Sequence, residues 1–250
     1  MKKILITVLL GALSITSFNT LIVKADTITD GETIVSEVIG DGEKLELSEE
    51  EIQKSEEKIK LAEEFRANNN IRAKKVNSVG TYMQTTGYNC GPATARNIIN
   101  GYVYKHGGSV PSEATLASNL GTTTNGTNFG STWVNVMNKY APGNNYTLTW
   151  GYSNSTDWAN RLRTIVPFTI NKSKNYGIVA NINHGPRAAS ETIHSYYANK
   201  NVGHYVAVHG YDGDRAHISD SNNGMTNYNR LYTTGYYSLG RSTQNRGVVW

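Results

Sequence analysis

Cysteine is the scarcest residue type in this sequence. Its 250 residues include a single cysteine, Cys90. One thiol excludes an internal disulfide and any zinc site built from paired cysteines. The thiol is therefore idle, paired with another chain, or chemically active. In an exported protein an exposed idle thiol would be open to oxidation, which favours either burial or a chemical role.

A long uninterrupted apolar stretch is also missing. Met1-Lys2-Lys3 is basic, and residues 4–18 are apolar with small interruptions. Val23-Lys24-Ala25 provides small residues at the positions that a signal peptidase recognises before its cleavage site. A membrane anchor is the alternative, but the apolar run is too short and too mixed for a comfortable spanning helix. We therefore predict a secretory signal peptide over residues 1–25 and a secreted, extracellular protein, in solution or associated with the cell surface. No stable membrane span is expected after signal cleavage.

Dense clusters of Lys and Arg are absent, so nucleic acid is not expected as a partner. The charge is instead divided along the chain. Residues 26–78 hold 14 acidic and 8 basic residues, a net charge of −6, whereas residues 79–250 hold 6 acidic and 13 basic residues, a net charge of +7. A basic exported domain gains solubility or a weak attraction to an anionic cell surface. We predict a signal peptide (1–25), an acidic pro-segment or linker (26–78) and one domain (79–250).

The acidic segment is predicted to contain one helix. Residues 26–46 carry three glycines among scattered acidic residues and are expected to form a loosely structured linker. Ser48 and Glu51 then match a capping box, and good helix formers follow to about Ala67. The helix is either a solvated spacer or part of an inhibitory pro-segment.

The single cysteine stands in a sequence context that favours reactivity. Gly91 and Pro92 follow it, and proline is favoured in the first turn of a helix. A helix that begins near Cys90 would direct its free N–H groups at the sulfur and stabilise the thiolate, which is the nucleophilic form. Gln84 lies six residues upstream, and a side-chain amide can donate a hydrogen bond to a developing oxyanion.

These residues resemble the C39-like cysteine peptidases, a family with the papain-like fold. The family pattern is Gln, five residues, Cys-Gly-Pro and a helix, then a strand that opens with Gly-His, a turn, and a strand that ends in Asp. The matching residues, in this order, are Gln84, Cys90-Gly91-Pro92-Ala93, Gly203-His204-Tyr205-Val206 and Asp220. The resemblance covers roughly residues 80–225. One departure is that Ser221 follows the aspartate, where the family usually has proline.

The order of predicted elements indicates the α+β class. Helices are expected from residue 90, over 112–120, over 133–140 and over 155–165, and strands over 176–182, 202–211, 215–220, 231–239 and 247–250. Helices followed by strands favour segregated helices and an antiparallel sheet. This order suits the papain-like fold that the resemblance implies, with the nucleophile on the N-terminal helices and His and Asp on the sheet.

A hairpin is predicted to bring His204 and Asp220 together. Asp212-Gly213 is a strong turn signal between two β-like runs. A three-residue loop centred on Asp212 would place His204 directly opposite Asp220, whereas a two-residue turn would not. In a regular strand His209 would face the other side of the sheet from His204.

The remaining histidines are weaker candidates for a catalytic base. His184 and His194 lie in a polar stretch, His106 lies in the Gly-rich turn, and His217 lies on the third predicted strand, residues 215–220. No set of histidines or carboxylates stands out with the spacing of a zinc site.

The sequence therefore predicts a secreted cysteine peptidase that acts on a peptide or protein substrate, or on a cell-wall peptide. The resemblance implies that Cys90 is the nucleophile, His204 the base, Asp220 its orienting partner and Gln84 an oxyanion donor, and that no cofactor or metal is needed. The sequence lacks the transporter segments that some relatives carry, so leader-peptide export is not implied. Two alternatives remain open: a peptidoglycan amidase or endopeptidase with the same dyad, and a non-catalytic binding protein on the same scaffold.

Overall fold

A computed structural model describes residues 36–69 and 73–250, so the signal peptide predicted over residues 1–25 lies outside the described residues. The described residues fall within a single compact unit that spans residues 35–250. Its α-helices are α1 (Glu49–Asn68), α2 (Cys90–His106), α3 (Glu113–Leu120), α4 (Ser131–Tyr140), α5 (Ser155–Asn171) and α6 (Tyr236–Thr243). Its strands are β1 (Ser36–Ile39), β2 (Asp41–Lys44), β3 (Lys75–Val76), β4 (Thr127–Phe129), β5 (Leu148–Trp150), β6 (Ile178–His184), β7 (Lys200–Asp212), β8 (Arg215–Asp220), β9 (Leu231–Gly235) and β10 (Gly247–Val249).

The main sheet is antiparallel along its principal path, which runs β5-β10-β6-β7-β8-β9. Strand β7 is long enough to pair with four others. The parallel strand β1 pairs with residues 200–203 of β7, and the antiparallel β3 pairs with residues 210 and 211. Strands β2 and β4 form a separate parallel pair. The predicted α+β class, with N-terminal helices followed by an antiparallel sheet in the papain-like arrangement, is confirmed.

Helices cover both faces of this sheet. The alternation of side chains along β7 sends Val206 and Val208 into one apolar cluster with α5 and α6, and Tyr205 and Ala207 into another with the helices α2 to α4. The sheet is therefore buried on both sides, which accounts for the nearly continuous burial of β6 and β7. No helix of the described residues is sufficiently long and apolar to cross a membrane.

Helix α1 has the predicted capping box and packs on α5. Ser48 Oγ accepts from the Glu51 N–H, and Glu51 Oε2 accepts from the Ser48 N–H at 2.9 Å. Ser55 Oγ and Thr149 Oγ1 are 2.6 Å apart. The buried Lys58 Nζ donates to the carbonyl oxygens of Asn145, at 2.9 Å, and Trp250. The helix is thus bound by hydrogen bonds to the body of the protein.

Two sequence expectations about local structure are wrong. Residues 36–44 are not a loose linker, because β1 and β2 pair with β7 and β4. The strand expected over 231–239 ends at Gly235 and is followed by α6, whose residues Leu239 and Gly240 pack against the domain. In both cases tertiary contacts override local composition.

The β7–β8 hairpin does not have the predicted register. Its closing pair is Asp212 with Arg215, so the turn has two central residues, with Gly213 at φ +55° in the first position. A register shift between Val208 and Gly210 leaves His209 as an extra residue in β7. Beyond this bulge Val206, and not His204, pairs with Asp220.

Candidate active site

Cys90 is the first residue of α2 and is completely buried. Asn89 occupies the N-cap position, but its side-chain amide donates to Glu113 Oε1 at 2.8 Å instead of capping the helix. The N–H groups of the first turn are thus left without a side-chain cap next to the Cys90 sulfur. The predicted helix start at Cys90 is therefore present, and its uncapped N–H groups form the positive end of the helix dipole.

Two hydroxyl groups fix the start of α2 against the sheet. Thr94 Oγ1 donates to the carbonyl oxygen of Tyr205 at 2.9 Å, one residue after His204. Ser221 Oγ donates to the Cys90 carbonyl oxygen at 3.5 Å, and the Ser221 carbonyl accepts from the Gln84 N–H at 2.8 Å. The serine that replaces the family's usual proline therefore connects the strand of Asp220 to both Cys90 and Gln84.

His204 and Asp220 form a buried pair, although they are diagonal rather than direct neighbours. Asp220 pairs with Val206, which faces the same side of the sheet as His204. His204 Nε2 and Asp220 Oδ1 are 2.8 Å apart. Without the bulge at His209, a two-residue turn would pair Asp220 with Ala207 and turn its carboxylate to the other face. The bulge therefore brings the two side chains together.

The electrostatics of the pair favour an imidazolium beside a carboxylate. Burial alone would lower the pKa of His204, but the Asp220 carboxylate and the Cys90 sulfur, as charges and as hydrogen-bond partners, raise it to about 10. Burial would raise the pKa of Asp220, but the charge and the hydrogen bond of His204 hold it below its ordinary value. His204 is therefore hydrogen-bonded to Asp220, and Cys90 contributes to the rise of its pKa.

Three further residues hold the Asp220 carboxylate, and the sequence analysis did not identify them. The hydroxyl groups of Tyr197 and Tyr232 each donate to Oδ2 at 2.8 Å, and the Asn222 N–H donates to Oδ1 at 3.0 Å. Four donors, including His204, therefore surround a carboxylate from which water is excluded. The one available sequence signal is the abundance of tyrosine, 16 residues, and it does not single these two out.

Gln84 is buried on the loop before α2. Its Nε2 donates to the carbonyl oxygens of Thr86 and Gly87, at 2.9 and 3.2 Å. A Cβ placed on Gly40 would lie 2.7 Å from the Gly87 oxygen and 2.8 Å from Cys90 Sγ, so the Gln84 amide donates to a carbonyl that borders the sulfur. Gln84 therefore belongs to the same site as Cys90.

The other histidines occupy structural positions. His209 Nδ1 bonds the Asn77 carbonyl oxygen at 2.8 Å, and burial lowers its pKa. His184 Nδ1 bonds the Gly185 carbonyl oxygen at 2.8 Å, and burial lowers its pKa as well. Among the residues that the structure describes, His204 is the histidine that forms an ion pair with a carboxylate. Within the same residues, no cluster of three or more His, Cys, Asp or Glu side chains is placed to hold a metal ion.

The chain's own residues cover this site. The Gly40 N–H donates to the carbonyl oxygen of Gly203, the residue before His204, at 2.6 Å. The Gly40 carbonyl oxygen accepts from the Thr127 N–H at 3.3 Å. Gly40 thus crosses directly over Cys90, whose exposed fraction is 0%.

Comparison with models of known protein families assigns the chain to one family. The sequence model of the Peptidase_C39 like family matches residues 76–243, and the chain belongs to this family. Membership of this family supports a cysteine-peptidase type of function. No curated protein shows significant similarity to the chain.

Three solved structures are distant matches. A double glycine motif protease from an AMS/PCAT transporter, in complex with the leader peptide, has 16% identity and a TM-score of 0.41 over 70% of this chain and 94% of that one. The peptidase domain of Streptococcus ComA, a bifunctional ABC transporter of a quorum-sensing pathway, has 16% identity and a TM-score of 0.40 over 69% and 95%. A protein described as a C39-like peptidase from Bacillus anthracis has 12% identity and a TM-score of 0.44 over 70% and 96%.

Proposed function

We propose that this protein is a secreted cysteine peptidase that hydrolyses peptide bonds with Cys90, His204 and Asp220, and with Gln84 as an oxyanion donor. The observation that carries the proposal is the buried imidazole of His204, which is hydrogen-bonded to Asp220 through Nε2 and whose pKa is raised by Asp220 and by Cys90. A thiol, a base and a group that orients the base are the parts that nucleophilic catalysis requires.

Each side chain has a distinct role in the proposed reaction. The Cys90 thiolate attacks the carbonyl carbon of the peptide bond and forms a tetrahedral intermediate. Because Asp220 occupies Nε2, the Nδ1 of His204 is the nitrogen that donates a proton to the leaving amine. The same nitrogen then takes a proton from the water that hydrolyses the acyl-enzyme. Asp220 remains ionised and keeps the ring in this orientation.

The oxyanion of the intermediate would be stabilised by the backbone N–H of Cys90, at the start of α2, and by Gln84 Nε2. In the present structure the Gln84 amide donates to the carbonyls of Thr86 and Gly87. One of these two bonds has to be exchanged for a bond to the oxyanion when substrate enters.

The substrate class is a peptide or protein, or the peptide of a cell wall, and the location is extracellular. The net charge of +7 over residues 79–250 suits an anionic cell surface, and the signal-like residues 1–25 suit export. Neither feature distinguishes a protein substrate from peptidoglycan, so the test below uses both substrates.

A survey of new peptide termini tests the proposal. Wild type, Gly40→Ala and Cys90→Ser are incubated with an unstructured proteome digest and, separately, with purified peptidoglycan, and products are identified by mass spectrometry. Gly40→Ala is included because its added methyl group cannot remain over the thiol. We expect cleavage that depends on Cys90. Equal product from Cys90→Ser, or no product from either form that retains the thiol, would exclude the peptidase.

A further inference from the structure

The groove around Cys90 is occupied by an extended segment of the same chain, residues 36–44. Strand β1 lies along residues 200–203 of β7, immediately before His204. Strand β2 then lies along β4. The Glu43 N–H donates to Asn128 Oδ1 at 2.9 Å, and the Leu45 N–H donates to the Phe129 carbonyl at 2.9 Å. The segment thus passes from the wall that carries His204 to the wall beside Cys90, with backbone hydrogen bonds on both sides.

Gly40 stands at the centre of this crossing, and only a residue without a side chain fits there. Its N–H and carbonyl both bond the groove walls, through Gly203 and Thr127. A Cβ at this position would lie 2.8 Å from Cys90 Sγ and 2.7 Å from the Gly87 oxygen, closer than side-chain carbons approach. The backbone of Gly40 therefore closes the space that a substrate carbonyl would need.

Asp41 follows Gly40 and enters a polar pocket. Asp41 is 6% exposed, and its Oδ2 lies 3.1 Å from Asn183 Nδ2 and 3.5 Å from Arg246 Nη2. Gly203 forms part of this pocket, because a Cβ there would overlap Asp41 Oδ1. Burial raises the pKa of Asp41, whereas the charge of Arg246 lowers it. The cation Arg246, just before β10, and the amide donor Asn183, on β6, thus receive a carboxylate that would otherwise be costly to bury.

We infer that the chain binds its own residues 38–44 as a self-blocking peptide over Cys90, and that Arg246 and Asn183 form the carboxylate subsite that holds this peptide through Asp41. The ligand class of the subsite is an extended peptide in which glycine is followed by an acidic residue. The alternative for this segment is a solvated linker, which would leave Cys90 accessible. Cys90 is instead completely buried. The inference concerns access to the groove and goes beyond the hydrolysis proposed above.

The first test measures access to the thiol, which is unique in the chain and so gives one labelling site. Full-length wild type, Gly40→Ala and Gly235→Ala are treated with iodoacetamide, and labelling is followed by intact mass. We expect slow labelling of wild type and of Gly235→Ala, because a Cβ at Gly235 meets no atom. Gly40→Ala should label about tenfold faster or more, because an overpacked methyl group displaces the segment. Equal rates in all three forms would overturn the inference.

A melting curve of each variant shows that faster labelling does not come from unfolding. If Gly40→Ala lowers the melting temperature strongly, Asp41→Asn and Arg246→Gln take its place, and each should increase the labelling rate several-fold by weakening the carboxylate subsite. Arg215→Gln is the matched control, since Arg215 bonds Thr233 on the exposed β9 edge. Labelling of Asp41→Asn and Arg246→Gln at the rate of Arg215→Gln would contradict the subsite.

The second test restores the block with a separate peptide. The hexapeptide Val-Ile-Gly-Asp-Gly-Glu, which is residues 38–43, is added to the Gly40→Ala protein before iodoacetamide. We expect this peptide to protect Cys90 from labelling. The peptide that has Asn in place of Asp should protect about tenfold more weakly, and the two peptides should protect equally in Arg246→Gln. Equal protection by the two peptides on the Gly40→Ala protein, or none by either, would refute the subsite. Because labelling does not require turnover, a Gly40→Ala protein that labels quickly but cleaves nothing would reject the peptidase and support this inference.

Discussion

Tyr232→Phe is a sharp test of how the Asp220 carboxylate is held. The substitution removes one hydroxyl, which donates to Asp220 Oδ2 at 2.8 Å, and keeps the ring. A hydrogen bond to a charged group contributes about 1.5–3 kcal/mol to stability. Asp220 is 1% exposed, so water cannot take the place of the hydroxyl, and we expect the upper part of that range, about 2–3 kcal/mol. For a domain of this size the melting temperature should fall by roughly 4–12 °C.

A double-mutant cycle separates two contributions to the stability lost in Tyr232→Phe, the hydrogen bond to the charged Asp220 and the loss of packing. In the Asp220→Asn background the hydroxyl meets a neutral amide, so Tyr232→Phe should cost only about 0.5–1.5 kcal/mol. The assay is urea unfolding of the four proteins at neutral pH, with Tyr228→Phe, which is 46% exposed, as a control expected within about 0.5 kcal/mol of wild type. A cost below about 0.5 kcal/mol in the wild-type background, or equal costs in both backgrounds, would refute the charge-assisted bond.

Three other predictions follow from the site and its support. His204→Ala should lower turnover by about 10²–10⁴, whereas His209→Ala should leave turnover nearly intact, and the opposite result in a peptide assay would reverse the assignment of the base. The pKa of His204 is about 10 in the folded protein and about 6.5 in the unfolded chain. The stability that His204 contributes should therefore be complete below about pH 6.5 and should be lost as the pH rises through about 10. The measurement is urea unfolding of wild type and of His204→Gln over this pH range. A flat difference over this range would contradict the raised value. Lys58→Met should cost about 1–3 kcal/mol, because it leaves the buried Trp250 carbonyl and the partly buried Asn145 carbonyl without this partner. Lys54→Met on the exposed face should stay within about 0.5 kcal/mol of wild type in thermal unfolding.

Features set by neighbouring residues could be read from the sequence. The capping box at Ser48, the helix that starts at Cys90 and the glycine that ends α3 depend on side chains within a few positions of each other. Gly121 indeed has φ +66° at the C-cap of α3. These signals predicted the positions of α1, α2 and α3 because a helix terminus satisfies its own backbone groups locally.

Features set by distant contacts could not be read in this way. The predicted hairpin register was wrong for two reasons. The turn has two central residues instead of three, and His209 forms a bulge in β7, where its carbonyl oxygen accepts from the N–H of the distant Asn77. Tyr197 and Tyr232 reach Asp220 from elements 23 and 12 residues away, and nothing in their neighbourhood marks them. Gly40 resembles any linker glycine until the fold places it over Cys90.

The position of β10 has a consequence for the order in which the molecule folds. Residues 247–249 lie between β5 and β6, which are more than 60 residues earlier in the chain, and Val248 and Val249 face the two different apolar clusters. Strands β6 to β9 can assemble from consecutive antiparallel neighbours, but β5 joins the sheet through β10. Until residues 247–249 arrive, the edge of β6 is unpaired and open to strands of other chains. Because the β5–β10–β6 pairing closes long loops, we expect it to form late in folding and the edge of β6 to be exposed to aggregation until it forms.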